Sequence, residues 1–187
     1  MSGVTVPRWM TAEEYAQLDD LPGFRDELIA GERVLSPSPK FAHTAVIEQL
    51  MAVLNGQVAE LSPEPLQVVR ESGWRFRSGG LDSVPVPDVM VVRAEDAKRA
   101  IKARGWFEGT PLLVIEVISP SERKERRLQK VGLYLDMSVP HVVEADYTKR
   151  LVLVHTPEAE SAAVFREGDE LTVPFRASVS EIFSVLD

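Results

Sequence analysis

The sequence predicts an α/β (α+β) chain: a three-layer α/β/α sandwich with helices covering both faces of a central mixed β-sheet. Three observations lead there. Leu112 to Ile118 is an unbroken apolar run, interrupted only by Glu116, with the character of a strand buried on both faces. Ile47, Leu50, Met51, Leu54, Val58 and Leu61 recur at helical spacing and mark one long amphipathic helix. The remaining strand-like segments gather in the middle of the chain with helical segments on either side, the order expected of helices packed on two faces of a sheet.

Each element carries its own signal. Thr11 and Glu14 form a capping box, with Met10 and Tyr15 at the staple positions, for a short helix to about Leu18. Asp19-Asp20-Leu21-Pro22-Gly23 ends it with turn chemistry. Arg25–Ile29 and Arg33–Leu35 flank Ala30-Gly31-Glu32 as a hairpin. Ser36-Pro37-Ser38-Pro39 breaks the chain before the long helix, and Ser62-Pro63-Glu64-Pro65 stops that helix. Strands follow near Leu66–Val69, Trp74–Arg77 and Val86–Val92, with Ser78-Gly79-Gly80 as a loop. Ala94–Arg104 reads as a charged, exposed helix. After the Leu112–Ile118 strand, Ser119 and Glu122 make a second capping box with Pro120 at the first helical position, opening a helix to about Met137. Val139–Ala145 and Leu151–His155 are strands, and Val164-Phe165 and Leu171–Val173 are edge segments. Ser178 and Glu181 cap a final helix.

At 187 residues the chain reads as one domain, 1–187, of a size that buries roughly 70% of its unfolded surface. Hydrophobic residues at 44% and charged residues at 27% exclude general disorder. No apolar run reaches the ~20 residues of a membrane span, and Met1 to Met10 lacks the pattern of a signal peptide. Cysteine is absent, which excludes disulfides and thiolate sites and fits a reducing cytoplasm. A net charge of −8 argues against a general nucleic-acid-binding surface, so any such activity needs a local basic patch. Phosphate-loop, dinucleotide-loop, serine-elbow and zinc-helix motifs are all missing.

The chemistry-bearing feature is a pair of acids in runs that otherwise want burial: Asp88 in Val86–Val92 and Glu116 in Pro111–Ile118. A carboxylate in such a strand is costly unless a charge or hydrogen bonds satisfy it. Two of them on neighbouring strands suggest a shared cation, and Mg²⁺ or Mn²⁺ takes such oxygen ligands. The bland alternatives are a turn role for Asp88 and a core ion pair for Glu116. Arg123, Lys124, Arg126, Arg127 and Lys130 supply the local basic patch, with Arg123, Arg127 and Lys130 on one helical face. They either meet phosphates beside the metal or form a solvated face. His43, at the opening of the long helix, either orients a phosphate or water or is a cap or packed side chain, the commoner role for a lone histidine there. The three tryptophans read as packing residues.

These residues resemble the PD-(D/E)xK phosphodiesterase superfamily, and within it the Uma-type branch of restriction-endonuclease-like proteins. The resemblance runs from Thr11-Ala-Glu-Glu-Tyr15 through Glu27–Glu32, Ser36-Pro37, His43, Pro87-Asp88 and Pro111 to Ser119-Pro120-Ser121, Lys130, Tyr134, Val139-Pro140 and Asp146. It implies a restriction-endonuclease-like fold and a Mg²⁺-dependent site that hydrolyses phosphodiester bonds in DNA. Asp88 and Glu116 match the metal-binding acids, the Val117 carbonyl stands beside them, and Glu27 matches an additional acid. The departure is Ile118, where the superfamily pattern has a Lys; Lys130 matches a substitute on the following helix. Val142, Val143 and Arg126 also depart from relatives. A homodimer is expected by analogy, since cutting two strands takes two sites. Two other classes stay open: a non-catalytic binding or assembly module on the same fold, and a carboxylate-pair hydrolase, such as a glycosidase, acting on a non-nucleic substrate.

Overall fold

The computed structural model describes residues 9–19, 21–120 and 122–187. In chain order the elements are α1 (Ala12–Tyr15), β1 (Phe24–Ile29), β2 (Glu32–Pro37), α2 (Phe41–Gln57), β3 (Leu66–Arg70), β4 (Phe76–Ser78), β5 (Leu81–Ser83), β6 (Val89–Arg93), α3 (Ala94–Ala103), β7 (Leu113–Val117), α4 (Lys124–Asp136), β8 (His141–Asp146), β9 (Leu151–His155), β10 (Ala163–Arg166), β11 (Glu170–Leu171), β12 (Ala177–Ser178) and α5 (Val179–Phe183). A six-stranded sheet runs in the order β10-β9-β8-β7-β6-β3. It is mixed: β7 and β8 are parallel, with α4 crossing between them, and the other neighbours are antiparallel.

Strand alternation sorts the core into two layers. Val89, Val91, Leu113, Ile115, Val117 and Val143 face α2 and α5, whose Val46, Ile47, Leu50, Leu54, Ile182 and Phe183 complete that layer. Met90, Val92, Val114 and Val142 face the other way, onto Ala97 of α3 and Val131 and Tyr134 of α4. The three-layer α/β/α sandwich read from the sequence is therefore the architecture. Alternation also fixes the direction of Glu116: like Val114, it points toward α4.

The β1–β2 hairpin stands outside the large sheet. Ala30 and Gly31 both hold positive φ, 48° and 78°, the geometry of a two-residue type I′ turn. Gly31 is required there, because a Cβ would come 2.8 Å from the Trp9 Cβ. The hairpin is tied to the chain entering β6 by reciprocal backbone bonds between Leu28 and Val84, 3.2 and 2.7 Å.

Several boundaries differ from the sequence reading. The Ser119–Glu122 box does not open the following helix. That helix begins at Lys124 with Arg123 at the N-cap and no side-chain cap, while the Glu122 amide donates to the Ser119 carbonyl in a turn. The chain must leave the sheet and climb to the α4 layer before it can coil, a tertiary demand that local propensity does not carry. Ser121 and Asp20, which belonged to that box and to the first turn, lie outside the described residues, as do Met1 to Arg8. Asp88 lies just before β6 rather than in it, since Pro87 has no amide for the ladder. Trp74 forms only a single bridge to Phe107, and β4 pairs instead with β5, a strand too short to read. The Leu171–Val173 segment pairs over two residues only, Glu170 and Leu171 against Ser178 and Ala177. The long helix starts earlier than its apolar period indicates, at Phe41.

Leu50 is fully buried in α2, so Leu50→Ala is expected to lower unfolding stability by about 2–5 kcal/mol. Ile101→Ala on the exposed face of α3, 69% accessible, is expected to change it by less than about 0.5 kcal/mol. Urea denaturation of both variants is the check.

Candidate active site

Asp88 and Glu116 meet at one end of the central sheet. The antiparallel register of β6 and β7 sets Val89 opposite Ile115, which brings the residue before Val89 beside the residue after Ile115. Both carboxylates are buried, 1% and 6% accessible. The first turns its Oδ2 to the Val117 amide, 2.7 Å away. The second takes two donors from α4 on Oε1: the Tyr134 hydroxyl at 2.7 Å and the Lys130 ammonium at 2.8 Å. Lys130 and Tyr134 lie one helical turn apart and so share the face of α4 that covers the sheet.

The hairpin contributes the third acid. Glu27 Oε1 accepts the Val86 amide at 2.8 Å and Lys130 Nζ at 3.0 Å. The ammonium thus sits between Glu27 and Glu116, itself only 4% accessible. Two residues earlier on the same face of β1, Arg25 places Nη1 2.6 Å from Asp88 Oδ1 and Nη2 3.0 Å from Glu71. From α2, His43 directs Nε2 at the Val117 carbonyl, 2.9 Å, and toward Asp88 Oδ2, 3.4 Å. These groups line a cavity of about 90 Å³, with Ser36, Pro37, Ser119 and Glu122 on its rim.

The environments push the two central carboxylates apart. Burial raises Asp88, but the His43 hydrogen bond, the Arg25 charge and the Val117 amide outweigh it and hold the group below its usual range. Burial pushes Glu116 up against the pull of Lys130, and the neighbouring charges of Asp88 and Glu27 add to it, bringing the group to about 7. Burial lowers His43, yet the bond and charge of Asp88 bring it above its ordinary value. Burial also opposes the charge on Lys130, but Glu116 and Glu27 overcome it and keep the ammonium protonated. Tyr134, buried against Glu116, is pushed well up and stays a neutral donor. Carboxylates whose surroundings separate them in this way recur in acid–base sites.

The donor set is hard: carboxylate oxygens of Asp88, Glu116 and Glu27 and the Val117 carbonyl. It suits a divalent ion that keeps several waters, such as Mg²⁺ or Mn²⁺. Among the described residues no group of three or more His, Asp or Glu side chains is placed to hold a metal ion as the side chains now stand. The cations Arg25 and Lys130 stand among the acids instead.

The other sequence candidates are placed differently from one another. Arg127 is turned inward: its Nε stands 2.7 Å from Glu144, a contact that is Coulombic because the N–H is not aimed at the oxygen. His155 closes on the other oxygen of Glu144 at 2.7 Å. Arg123 is exposed at the mouth of a second cavity of about 420 Å³, with Arg33, Arg126 and Lys130. Sequence reasoning missed Arg25 and weighed His43 as a cap or packed side chain against a group that orients a phosphate or water. The signal for Arg25 was available, since it alternates in step with Glu27.

The fold is that of a nuclease-fold domain. A solved structure described as a "putative nuclease belonging to DUF820", from Anabaena variabilis, superimposes with a TM-score of 0.79 over 95% of this chain and 99% of that one, at 23% identity. The chain belongs to the Uma2 family, described as "Putative restriction endonuclease", whose profile matches residues 12–180. No curated protein matches it. Among the described residues no helix is long and apolar enough to cross a membrane.

Lys130→Met is expected to destabilise the fold by about 3–5 kcal/mol near neutral pH, because it leaves Glu27 and Glu116 buried without their cation. Lys130 stays charged throughout the range of about pH 5 to 8, so the pH dependence comes from Glu116. Its folded pKa, about 7 against 4.5 unfolded, means the fold holds a proton that the unfolded chain has released. Losing the ammonium raises that pKa further. The variant's deficit should therefore be smallest near pH 5, where the loss of the pair with Glu27 remains, and grow as pH rises to 8, measured by denaturation at each pH.

Proposed function

We propose that this protein is a Mg²⁺- or Mn²⁺-dependent endonuclease that hydrolyses phosphodiester bonds in DNA. One observation carries the reading: Asp88, Glu116 and the Val117 carbonyl lie at one end of two paired strands, beside a buried lysine, around a phosphate-sized cavity. Asp88 and Glu116, with the Val117 carbonyl and Glu27, would hold the ion. When bound, it supplies water activation and charge stabilisation at phosphorus. Lys130, fixed by Glu27 and Glu116, faces the charge that develops on the phosphoryl oxygens. On α4 it would stand in for the lysine that the superfamily pattern has at position 118. Arg123, at the mouth, meets a neighbouring phosphate, and Arg127 braces the adjoining strand through Glu144. A two-fold homodimer would present two sites to the two strands, and the absence of cysteine fits a cytoplasmic setting. Sedimentation at twice the chain mass is the expected result for the dimer.

A non-catalytic module on this fold is favoured by one feature, the direct ion pair of Arg25 with Asp88. Calorimetry with Mn²⁺ and a plasmid-nicking assay separate the two readings. The wild type is expected to bind the ion and nick, and Glu116→Ala to lose both; binding without nicking supports the module. Because the ion must displace the proton that Glu116 holds with a pKa of about 7, Mn²⁺ affinity should rise about tenfold from about pH 6 to pH 8 and level off above.

A further inference from the structure

We infer that Arg25 takes the substrate phosphate, and that it does so when a divalent cation on Asp88 loosens its hold there. The inference rests on the nuclease reading above and names a phosphate-binding residue for that site. Lys130, which faces the developing charge, is fixed in place: it is 4% accessible and held at 3.0 and 2.8 Å by two acids. Arg25 is held differently. Its two terminal nitrogens go to two separate carboxylates, Asp88 inside at 2.6 Å and Glu71 at the rim at 3.0 Å, and its side chain is 15% accessible.

Arg25 also stands at a boundary. It lines the inner cavity of about 90 Å³ and an adjoining one of about 510 Å³, which Phe24, Tyr15 and Glu71 help to form. The inner volume corresponds to about three waters, room for a phosphate and little more. The outer one is of ligand size and suits the flanking nucleoside. The guanidinium fork that now spans two carboxylates matches two oxygens of one phosphodiester. Its present berth is a constructed one. Glu71 holds φ at 44°, left-handed for a residue with a Cβ, and its amide donates to the Asp88 carbonyl at 3.2 Å.

Asp88 does not need Arg25 to stay in place, since the Val117 amide and His43 also hold its Oδ2. A divalent charge at Asp88 weakens the attraction that keeps Arg25 there, and the phosphate offers an equivalent partner. Cation and phosphodiester should therefore bind with positive coupling, while in the cation-free protein Arg25 competes for Asp88.

The test reads two affinities in wild type, Arg25→Gln and Arg25→Lys, with circular dichroism to check folding. Mn²⁺ binding is followed by calorimetry. Binding of a fluorescein-labelled single-stranded oligonucleotide, in Ca²⁺, is followed by anisotropy. Arg25→Gln is expected to bind Mn²⁺ about fivefold or more tighter, because a competing cation has gone, and the oligonucleotide about tenfold weaker. Arg25→Lys should fall between, keeping the charge without the fork. Mn²⁺ binding by the wild type, with both affinities unchanged or both weakened in Arg25→Gln, overturns this inference and leaves the nuclease reading standing. No Mn²⁺ binding by the wild type, with or without oligonucleotide, overturns both.

Discussion

Three carboxylates share one buried end of the sheet, and the rest of that end is arranged around their mutual repulsion. Glu27, Asp88 and Glu116 are each less than a tenth accessible. At interior dielectric their charges are tolerable only with cations and hydrogen bonds in contact. Lys130 bridges two of them from α4, Arg25 covers the third from β1, and the Val117 amide and Tyr134 hydroxyl supply the remaining bonds. Burial of Glu116 outweighs the pull of Lys130, and the charges of Asp88 and Glu27 add to it, which is why Glu116 stays protonated up to near neutral pH. Asp88, held by His43, Arg25 and the Val117 amide, does not.

The topology makes this convergence possible. The parallel pairing of β7 with β8 forces a crossover, and α4 is that crossover. Its inward face therefore lies over Glu116, where Lys130 and Tyr134 reach it. A second buried acid, Glu144, stands in register beside Glu116 on β8 and is met by the charge of Arg127, one turn back along α4, without an aligned hydrogen bond. The helix thus carries one cation for each strand acid beneath it. The hairpin is outside the sheet, yet the Leu28–Val84 bonds and the Val86 amide fix it so that Arg25 and Glu27 enter the same cavity.

Much of this was legible in the chain. The two acids stand out because their neighbours are Val, Ile, Leu and Met, and an acid in such company needs a partner. The long helix, the two-sided strand and the sandwich follow from apolar period alone. The basic residues after Glu116 were equally visible, but their fates were not. Helical spacing puts Arg123, Arg127 and Lys130 on one face, yet only Arg123 is left at an open mouth. Which cation is spent on which acid depends on what lies beneath α4, and local sequence holds no record of that. The Ser119–Glu122 box shows the same limit, since the path from sheet to helix layer overrides a good local cap.

By itself, the sequence determined the elements, the layers and the residues with chemistry to offer, because period, burial preference and turn chemistry are local properties. The tertiary structure decided the partnerships. Arg25, His43 and Glu27 are far in sequence from Asp88, Glu116 and Lys130, and only strand register, the crossover of α4 and the docking of the hairpin bring them within hydrogen-bonding distance. Those contacts, rather than the residue types, set the charge state of each group, because electrostatic energy in a buried site depends on distance and surroundings that no short stretch of chain specifies.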